Sequence, residues 1–115
     1  MHGVREELLD IQAKSVGIPL CKMYVGEKSS NEEYEAEMKK ILENYSKQGV
    51  RYVIFGDIFL EDLRAWRENN LAKVGMKGVF PLWKLDTLQL VKDFINVGFV
   101  SITCCINDGY LSKEM

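Results

Sequence analysis

Apolar positions along the chain alternate between helical stripes and short continuous runs. In four segments the apolar side chains recur every three to four residues, which predicts amphipathic helices. Each segment is followed by a glycine, a residue that ends helices readily because it adopts the left-handed conformation without steric cost. The predicted helices cover residues 3–16, 30–48, 60–74 and 86–97, and the glycines are Gly17, Gly49, Gly75 and Gly98.

Two of these helices begin with a capping-box pattern. Ser30 is followed three residues later by Glu33, and Asp86 is followed by Gln89. In such a pair the first side chain accepts a hydrogen bond from the backbone N–H three residues on. The sequence therefore predicts that helices start at Ser30 and at Asp86.

Apolar runs between the helices predict β-strands. They cover residues 18–25, 51–55, 77–82 and 99–106. The near-continuous runs 52–55 and 99–106 are typical of strands that are covered on both faces. Alternation of helices and strands predicts an α/β fold, with an open, mostly parallel sheet and flanking helices. Because the chain opens on a helix and not on a strand, we expect this sheet to be incomplete at its N-terminal side.

Composition and charge exclude several kinds of partner. The 115 residues are 47% apolar, which is enough to bury a core. Fifteen basic against 17 acidic residues give a formal net charge of -2, without long runs of like charge. This balance argues against a nucleic-acid or membrane partner. With neither a signal pattern nor an apolar run of about 18 residues, the chain is expected to be cytoplasmic.

Cysteine and histidine usage excludes further chemistry. Cys104 and Cys105 are adjacent and the third cysteine is Cys21, so neither a disulfide framework nor a CxxC motif is present. All three lie in apolar runs and are expected to be small buried side chains. His2 is the only histidine, which rules out a multi-histidine metal site or a Ser-His-Asp triad within the chain.

A first candidate site is the stretch FGDIFLEDLRAWREN, residues 55–69. Ligands of open α/β sheets bind beyond the carboxyl ends of the strands, and Gly56 and Asp57 follow a predicted strand. Glycine allows a close backbone approach, while the aspartate could bind a metal-bridged phosphate, accept a hydroxyl or cap the next helix.

The helix that follows carries charged side chains with two interpretations. Glu61, Arg64 and Glu68 share one helix face, which is typical of ion pairs on a solvated surface. In the other interpretation Arg64 and Arg67 donate to a phosphate or carboxylate while acidic neighbours hold their guanidinium groups in place. The residues alone leave both open.

A second candidate site is VFPLWKLDT, residues 79–87. Pro81 fixes the exit from a strand, Trp83 offers a flat face for a base, and Asp86 and Thr87 offer oxygen atoms at a helix start. The alternative is an aromatic residue that closes the core, followed by an ordinary helix cap. The residues by themselves indicate an α/β domain with a candidate site for an anionic ligand.

These two stretches, in this order, resemble the diphthine-ammonia ligase family of PP-loop ATPases. The segment HGVREELLDIQAKSVGIPL resembles the part that follows the first βαβ unit of that family. The resemblance runs from His2 to about Ile106. It implies that residues 1–76 are the C-terminal part of a HUP-type nucleotide-binding domain. Residues 77–115 would then hold the last strand of that domain and the start of a second α/β domain.

The resemblance also implies an activity. Members of the family use ATP, with magnesium, to adenylate a carboxylate, after which ammonia displaces AMP and leaves an amide. In the eukaryotic and archaeal ligases the substrate is diphthine, the modified histidine of translation elongation factor two. Carried over by motif, the nucleotide contacts would be Gly56, Asp57, Glu61, Arg64 and Arg67, and the substrate contacts Pro81, Leu82, Trp83, Asp86 and Thr87. No catalytic residue is assigned.

Two departures from the family pattern modify this expectation. The family has a phosphate-binding loop of the Ser-Gly-Gly-Lys-Asp-Ser type, whereas no two glycines are adjacent in this chain. A later Gly-Glu-rich motif is missing too. We therefore expect this chain to be a part of the ligase that is inactive alone. Nucleotide binding would then require the rest of the ligase. The alternatives are a non-catalytic module that associates through exposed strand edges, or a relative with another carboxylate substrate.

Overall fold

The computed structural model describes residues 5–104, 106, 107 and 109. The chain divides into two compact units, one of residues 1–22 with 94–115 and one of residues 23–93. The predicted α/β class is confirmed. In chain order the described elements are α1 (Glu6–Val16), α2 (Asn31–Lys47), β1 (Tyr52–Ile54), α3 (Glu61–Ala72), β2 (Lys77–Val79) and α4 (Thr87–Asn96).

The sheet of the described residues consists of β1 and β2, which pair in parallel. Tyr52 lies opposite Lys77, and Ile54 lies opposite Val79. Since α3 connects the two strands, this is the strand–helix–strand arrangement that the alternating pattern predicts. Parallel pairing also places the ends of both strands, and the loops that follow them, at the same edge of the sheet.

The core of the unit 23–93 lies between the helices and one face of the sheet. Leu42 of α2, Leu71 of α3 and Met76 are buried, and Val53 and Phe55 pack against them. These two side chains alternate along the strand with Tyr52 and Ile54, which are 63% and 72% exposed. The prediction that the run 52–55 is covered on both faces is therefore wrong, because the core packs only against the Val53 side.

The two predicted capping-box starts and the four predicted terminating glycines are confirmed, whereas α1 begins later than predicted, at Glu6, and α3 ends earlier, at Ala72. The Ser30 side chain accepts a hydrogen bond from the N–H of Glu33 at 3.2 Å, and the Asp86 carboxylate accepts one from the N–H of Gln89 at 2.8 Å. All four predicted terminating glycines have positive φ angles, between 71° and 94°. These signals are local in sequence, so they do not depend on how the helices pack.

Two of the four predicted strands are wrong. The described residues of 18–25 and 99–106 have no regular secondary structure, and Cys105 lies outside the described residues. An apolar run becomes a strand only when a neighbouring strand takes up its backbone hydrogen bonds, and the run itself does not reveal a partner. The third predicted strand, 77–82, is observed as β2 and ends at Val79. It ends there because the chain turns at Pro81, which has no N–H for a strand ladder.

The cysteine prediction is also corrected. Cys21 and Cys104 are exposed, because the segments that carry them are not covered strands. Cys105 was predicted to be buried as well, and it lies outside the described residues. Exposure makes Cys21 and Cys104 accessible to thiol reagents, unlike the small buried side chains that an apolar run favours.

The unit of residues 1–22 with 94–115 has its own internal contacts. Lys22 Nζ lies 2.7 Å from an Asp10 carboxylate oxygen and 2.8 Å from a Glu6 oxygen, and the Phe94 and Phe99 rings stack at 4.8 Å. The hydrogen bond to Asp10, and to a lesser extent the one to Glu6, raises the pKa of Lys22 above its ordinary value. Lys22 thus keeps its charge and fastens the segment after α1 to that helix. Among the described helices, none is long and apolar enough to cross a membrane.

Candidate functional site

The loops that follow β1 and β2 are joined directly. The backbone N–H of Lys84 donates to the carbonyl oxygen of Ile58 at 2.7 Å, and Lys84 Nζ lies 3.2 Å from a Glu61 carboxylate oxygen. Both loops leave the same edge of the parallel pair, which explains why they meet. The structure thus brings the two sequence motifs together.

Lys84 has an unusual backbone conformation at this junction. Its φ angle of 57° makes it the one non-glycine residue with positive φ in the part of the chain that the structure describes. This conformation costs roughly 1–2 kcal/mol for a residue with a Cβ atom. The hydrogen bond to Ile58 and the ion pair with Glu61 help to offset that cost, so the turn is held by specific contacts between the loops.

Asp57 and Arg67 form a short ion pair beneath the first loop. Arg67 donates from Nε to Asp57 Oδ2 at 2.7 Å, and the two side chains are only 24% and 15% exposed. The guanidinium carbon of Arg67 also lies 4.6 Å from the centroid of the Phe55 ring. A carboxylate and an aromatic face therefore fix the plane of this guanidinium group.

Arg64, one helical turn before Arg67, is also held by a carboxylate and by aromatic rings. Its Nε donates to a Glu68 oxygen at 3.2 Å. Its guanidinium carbon lies 4.4 Å from the Phe80 ring centroid and 4.7 Å from the Trp83 ring centroid. A residue of α3 is thereby attached to the loop that follows β2.

The rings under the two arginines contact one another. Phe55 and Phe80 are stacked at 5.3 Å, and Phe80 meets Trp83 edge to face at 6.1 Å. We call these five residues, Phe55, Arg64, Arg67, Phe80 and Trp83, the arginine–aromatic cluster. Such ring geometries are the favourable ones for aromatic pairs, so the rings support the two arginines at the carboxyl ends of both strands.

Only some of the predicted nucleotide-binding residues lie at the arginine–aromatic cluster. Asp57, Arg64 and Arg67 belong to the cluster or contact it, while Gly56 is exposed just after β1. Glu61 pairs with Lys84 and not with Arg64, so only Glu68 provides the expected carboxylate for Arg64. The helix face therefore carries one arginine–glutamate pair and one link to the neighbouring loop.

The predicted substrate residues separate into two groups. Trp83 is half-buried against Arg64 and joins the cluster. Asp86 caps α4 through the N–H of Gln89, as the simpler interpretation expected. Pro81 and Thr87 are exposed, and Leu82 is half-buried.

Several residues of the site had no assigned role from sequence. Phe55 and Phe80 were predicted as strand residues, yet their rings support the arginines. Lys84 links the loops although lysine is not typical of positive φ. The one available signal was positional: Phe55 ends the predicted strand 51–55 and Phe80 lies in the second half of the predicted strand 77–82, near the edge where ligand sites of α/β sheets are built.

Charge and shape limit what this cluster does by itself. Asp57 and Glu68 balance the charges of the two arginines, so the local net charge is close to zero. A cleft of about 110 Å³ beside Arg67 is lined mainly by apolar side chains, and it is smaller than the roughly 300 Å³ or more of ligand pockets. Among the described residues, no group of three or more metal-binding side chains could hold a metal ion.

Fold and site together define an α/β protein with paired arginines at the carboxyl ends of a parallel strand pair. The chain belongs to the family described as the diphthamide synthase N-terminal domain, whose model matches residues 1–78. This confirms the resemblance to the diphthine-ammonia ligase family. The whole of the second motif, residues 79–87, lies beyond the matched part. No curated protein and no solved structure matches the chain.

Proposed function

We propose that this chain is part of an ATP-dependent, amide-forming ligase of the diphthine-ammonia ligase type. In that reaction a carboxylate attacks ATP to give an acyl adenylate with release of pyrophosphate, and ammonia then displaces AMP to leave the amide. The family match over residues 1–78 carries the proposal. The substrate would be diphthine on translation elongation factor two, in the cytoplasm. Residues 1–76 would belong to the nucleotide-binding domain. Residues 77–115 would hold the last strand of that domain and the start of a second domain.

The proposal assigns the arginine–aromatic cluster to the nucleotide. Arg64 and Arg67 both use Nε for their carboxylate partners, and we assign their Nη nitrogens to an anionic group of ATP. Aromatic contacts hold both guanidinium planes before a ligand arrives, which reduces the entropy lost on binding. Asp57 orients Arg67, while Gly56 and Glu61 border the same loop.

The second loop would serve the acceptor substrate. Trp83 lies against Arg64, so a substrate that stacks on the free part of its ring would reach the nucleotide side of the cluster. The remaining substrate-side residues in this proposal are Pro81, Leu82, Asp86 and Thr87. ATP, with magnesium on its phosphates, supplies the leaving group when bound, and these residues orient the acceptor.

The chain alone is proposed to be inactive. A triphosphate requires several converging donors, and a loop with adjacent glycines is the usual source of backbone N–H groups. No two glycines are adjacent in this sequence, and the two arginines are already balanced by carboxylates. The cluster would thus form one wall of a nucleotide site whose other wall comes from the remainder of the ligase.

Calorimetric titration with magnesium and ATP tests this division of the site. For the purified chain alone we expect no binding tighter than about 1 mM, a limit equivalent to roughly 4 kcal/mol. Sub-micromolar binding by a monomer would show that the chain holds a complete nucleotide site and would overturn the proposal of a single wall.

A ligase that carries both this segment and the phosphate-binding loop tests the assigned residues. Asp57→Ala should lower ATP–pyrophosphate exchange at least about tenfold, because misplacing a positioned group has effects of this size or larger. Asp62→Ala is the matched control, since Asp62 is exposed in the first turn of α3. Unchanged exchange in the Asp57 variant would remove Asp57 from the site.

A non-catalytic interaction module is the second candidate function. It is favoured by one observation, the exposed Tyr52 and Ile54 side chains on a two-stranded sheet. Self-association through strand edges, predicted from the sequence, belongs to this candidate. The interaction-module candidate predicts no ATP–pyrophosphate exchange in any context, whereas the ligase proposal predicts this exchange once the phosphate-binding loop is present.

A further inference from the structure

We propose that Lys84 binds the carboxylate of the acceptor substrate, the group that the ligase reaction converts into an amide. In the free chain the Glu61 carboxylate occupies the place that the acceptor carboxylate takes when it binds. The inference rests on the proposed function, since it names the residue of that site which recognises the acceptor.

The backbone conformation of Lys84 is the observation from which this inference starts. Its φ angle of 57° lies in the left-handed region, which is unfavourable for a residue with a Cβ atom but free of steric cost for glycine. Residues held in such a conformation cluster at binding and catalytic sites. The chain thus places a long cationic side chain at a turn that glycine would fit better.

The junction between the loops does not need the side chain of Lys84. The hydrogen bond that joins them runs from the backbone N–H of Lys84 to the Ile58 carbonyl oxygen, and a glycine would make the same bond. The side chain adds the ion pair with Glu61, whose lysine and glutamate members are 64% and 73% exposed. An ion pair this exposed contributes less than the left-handed backbone costs. Local stability therefore does not account for a lysine at this position.

The same ion pair shows that Lys84 binds a carboxylate at this place. Its Nζ lies 3.2 Å from a Glu61 carboxylate oxygen. Because water reaches both side chains, the pair is weak, and an incoming carboxylate can displace Glu61. The ammonium group is a compact charge on a flexible stem, so it passes from one carboxylate to another without a movement of the loop.

The position of Lys84 assigns it to the acceptor and not to the nucleotide. It is the single basic residue of the second motif, residues 79–87, and it follows Trp83, whose ring contacts Arg64. In the ligase reaction a carboxylate oxygen forms a bond to the α-phosphorus of ATP, and pyrophosphate leaves with the electron pair of the broken P–O bond. An ammonium group beside that carboxylate offsets its repulsion from the phosphates.

Initial-rate kinetics of a ligase that carries both this segment and the phosphate-binding loop test the assignment. The probe is translation elongation factor two that carries diphthine, and ATP–pyrophosphate exchange is measured at varied factor and varied ATP concentrations. Lys84→Gln should raise the KM for the factor at least about tenfold, because the carboxylate loses a charged donor. The KM for ATP should stay unchanged, and Lys84→Arg, which keeps the charge, should recover most of the affinity for the factor.

The matched control is an exposed lysine of α2. Lys40 Nζ lies 2.7 Å from a Glu37 carboxylate oxygen, and both side chains are exposed. Lys40→Gln removes the same kind of ion pair and should leave both KM values unchanged.

Glu61→Gln should change the KM for the factor in the opposite direction. It removes the carboxylate that competes for Lys84 and should lower this KM by up to about fivefold, since exposed ion pairs are weak. A raised KM for the factor in Glu61→Gln would overturn the competition between the two carboxylates.

A glycine variant separates binding from folding. Lys84→Gly keeps the backbone hydrogen bond to Ile58 and adopts the positive φ angle without strain. Urea unfolding of the purified chain should therefore give a midpoint no lower than that of the parent chain. The ligase with Lys84→Gly should nevertheless show the raised KM for the factor.

Four further outcomes would overturn the inference. They are an unchanged KM for the factor in Lys84→Gln, a rise in the KM for ATP alone, an equal rise in Lys40→Gln, and a lower urea midpoint in Lys84→Gly. All four leave the ligase proposal intact, because the parent ligase is active in these comparisons. A parent ligase without exchange on this factor would overturn the proposed function and the inference with it.

Discussion

The Asp57–Arg67 contact is the ion pair whose loss we expect to matter most at the scale of single residues. Arg67→Ala should lower the free energy of unfolding by about 1–3 kcal/mol. It leaves the half-buried Asp57 carboxylate without its donor and removes the guanidinium group from the Phe55 ring. Urea unfolding of the variant and the parent chain measures the difference.

The matched control is an ion pair on the neighbouring helix. Lys39 and Glu43 of α2 lie 3.7 Å apart with both side chains exposed, so Lys39→Ala should change the free energy of unfolding by no more than about 0.5 kcal/mol. Similar losses in the two variants would mean that burial of the Asp57–Arg67 pair adds nothing to its strength.

At the scale of elements, the start of α4 tests whether Asp86 is more than a helix cap. Asp86→Ala removes the acceptor for the Gln89 N–H and should cost about 1 kcal/mol. Asp86→Ser keeps an acceptor of similar reach and should retain most of the stability. Urea unfolding and the helical circular dichroism signal measure both variants.

The same two variants separate the cap from the proposed substrate role. In a ligase that carries this segment, a residue that only caps α4 would be rescued by serine in activity as well as in stability. Restored stability with lost exchange activity would assign Asp86 to the substrate. Equal stability of the alanine and serine variants would contradict the cap itself.

Comparison of the elements shows why helices were predictable and strands were not. The start of α2 at Ser30, its apolar stripe and the glycine after it are all encoded within about 20 residues, so the local signals sufficed. The runs 18–25 and 51–55 look alike in sequence, yet within the part of the chain that the structure describes only the second pairs with another strand. Pairing depends on residues distant in the chain, and an apolar run contains no information about them.

The candidate site shows the same limit. That the loops after β1 and β2 meet followed from parallel pairing. Which charges pair did not follow, since Glu61 meets Lys84 of the other loop while Arg64 meets Glu68. Helical spacing made both glutamates equally suitable partners for Arg64, and the positive φ of Lys84 was decided by packing of the loops.

At the scale of the whole molecule, burial predicts where the chain resists opening. The buried side chains of the described residues, Leu42, Leu71 and Met76, all lie in the unit 23–93. α1, with 11 residues, has no buried side chain, and helices this short are marginal without packing. Native-state hydrogen exchange should therefore show slow amides in α2, α3 and the two strands, and faster ones in α1.

A core substitution makes this expectation quantitative. Leu71 is 2% exposed, and Leu71→Ala should lower the opening free energy of α2 and α3 amides by roughly 2–5 kcal/mol, because the cavity adds to the lost burial. Leu88→Ala, at a position 62% exposed in α4, is the control and should lower it by less than about 1 kcal/mol. Equal protection of α1 and α3 in the parent chain, or equal effects of the two variants, would contradict a core confined to the unit that carries the arginine–aromatic cluster.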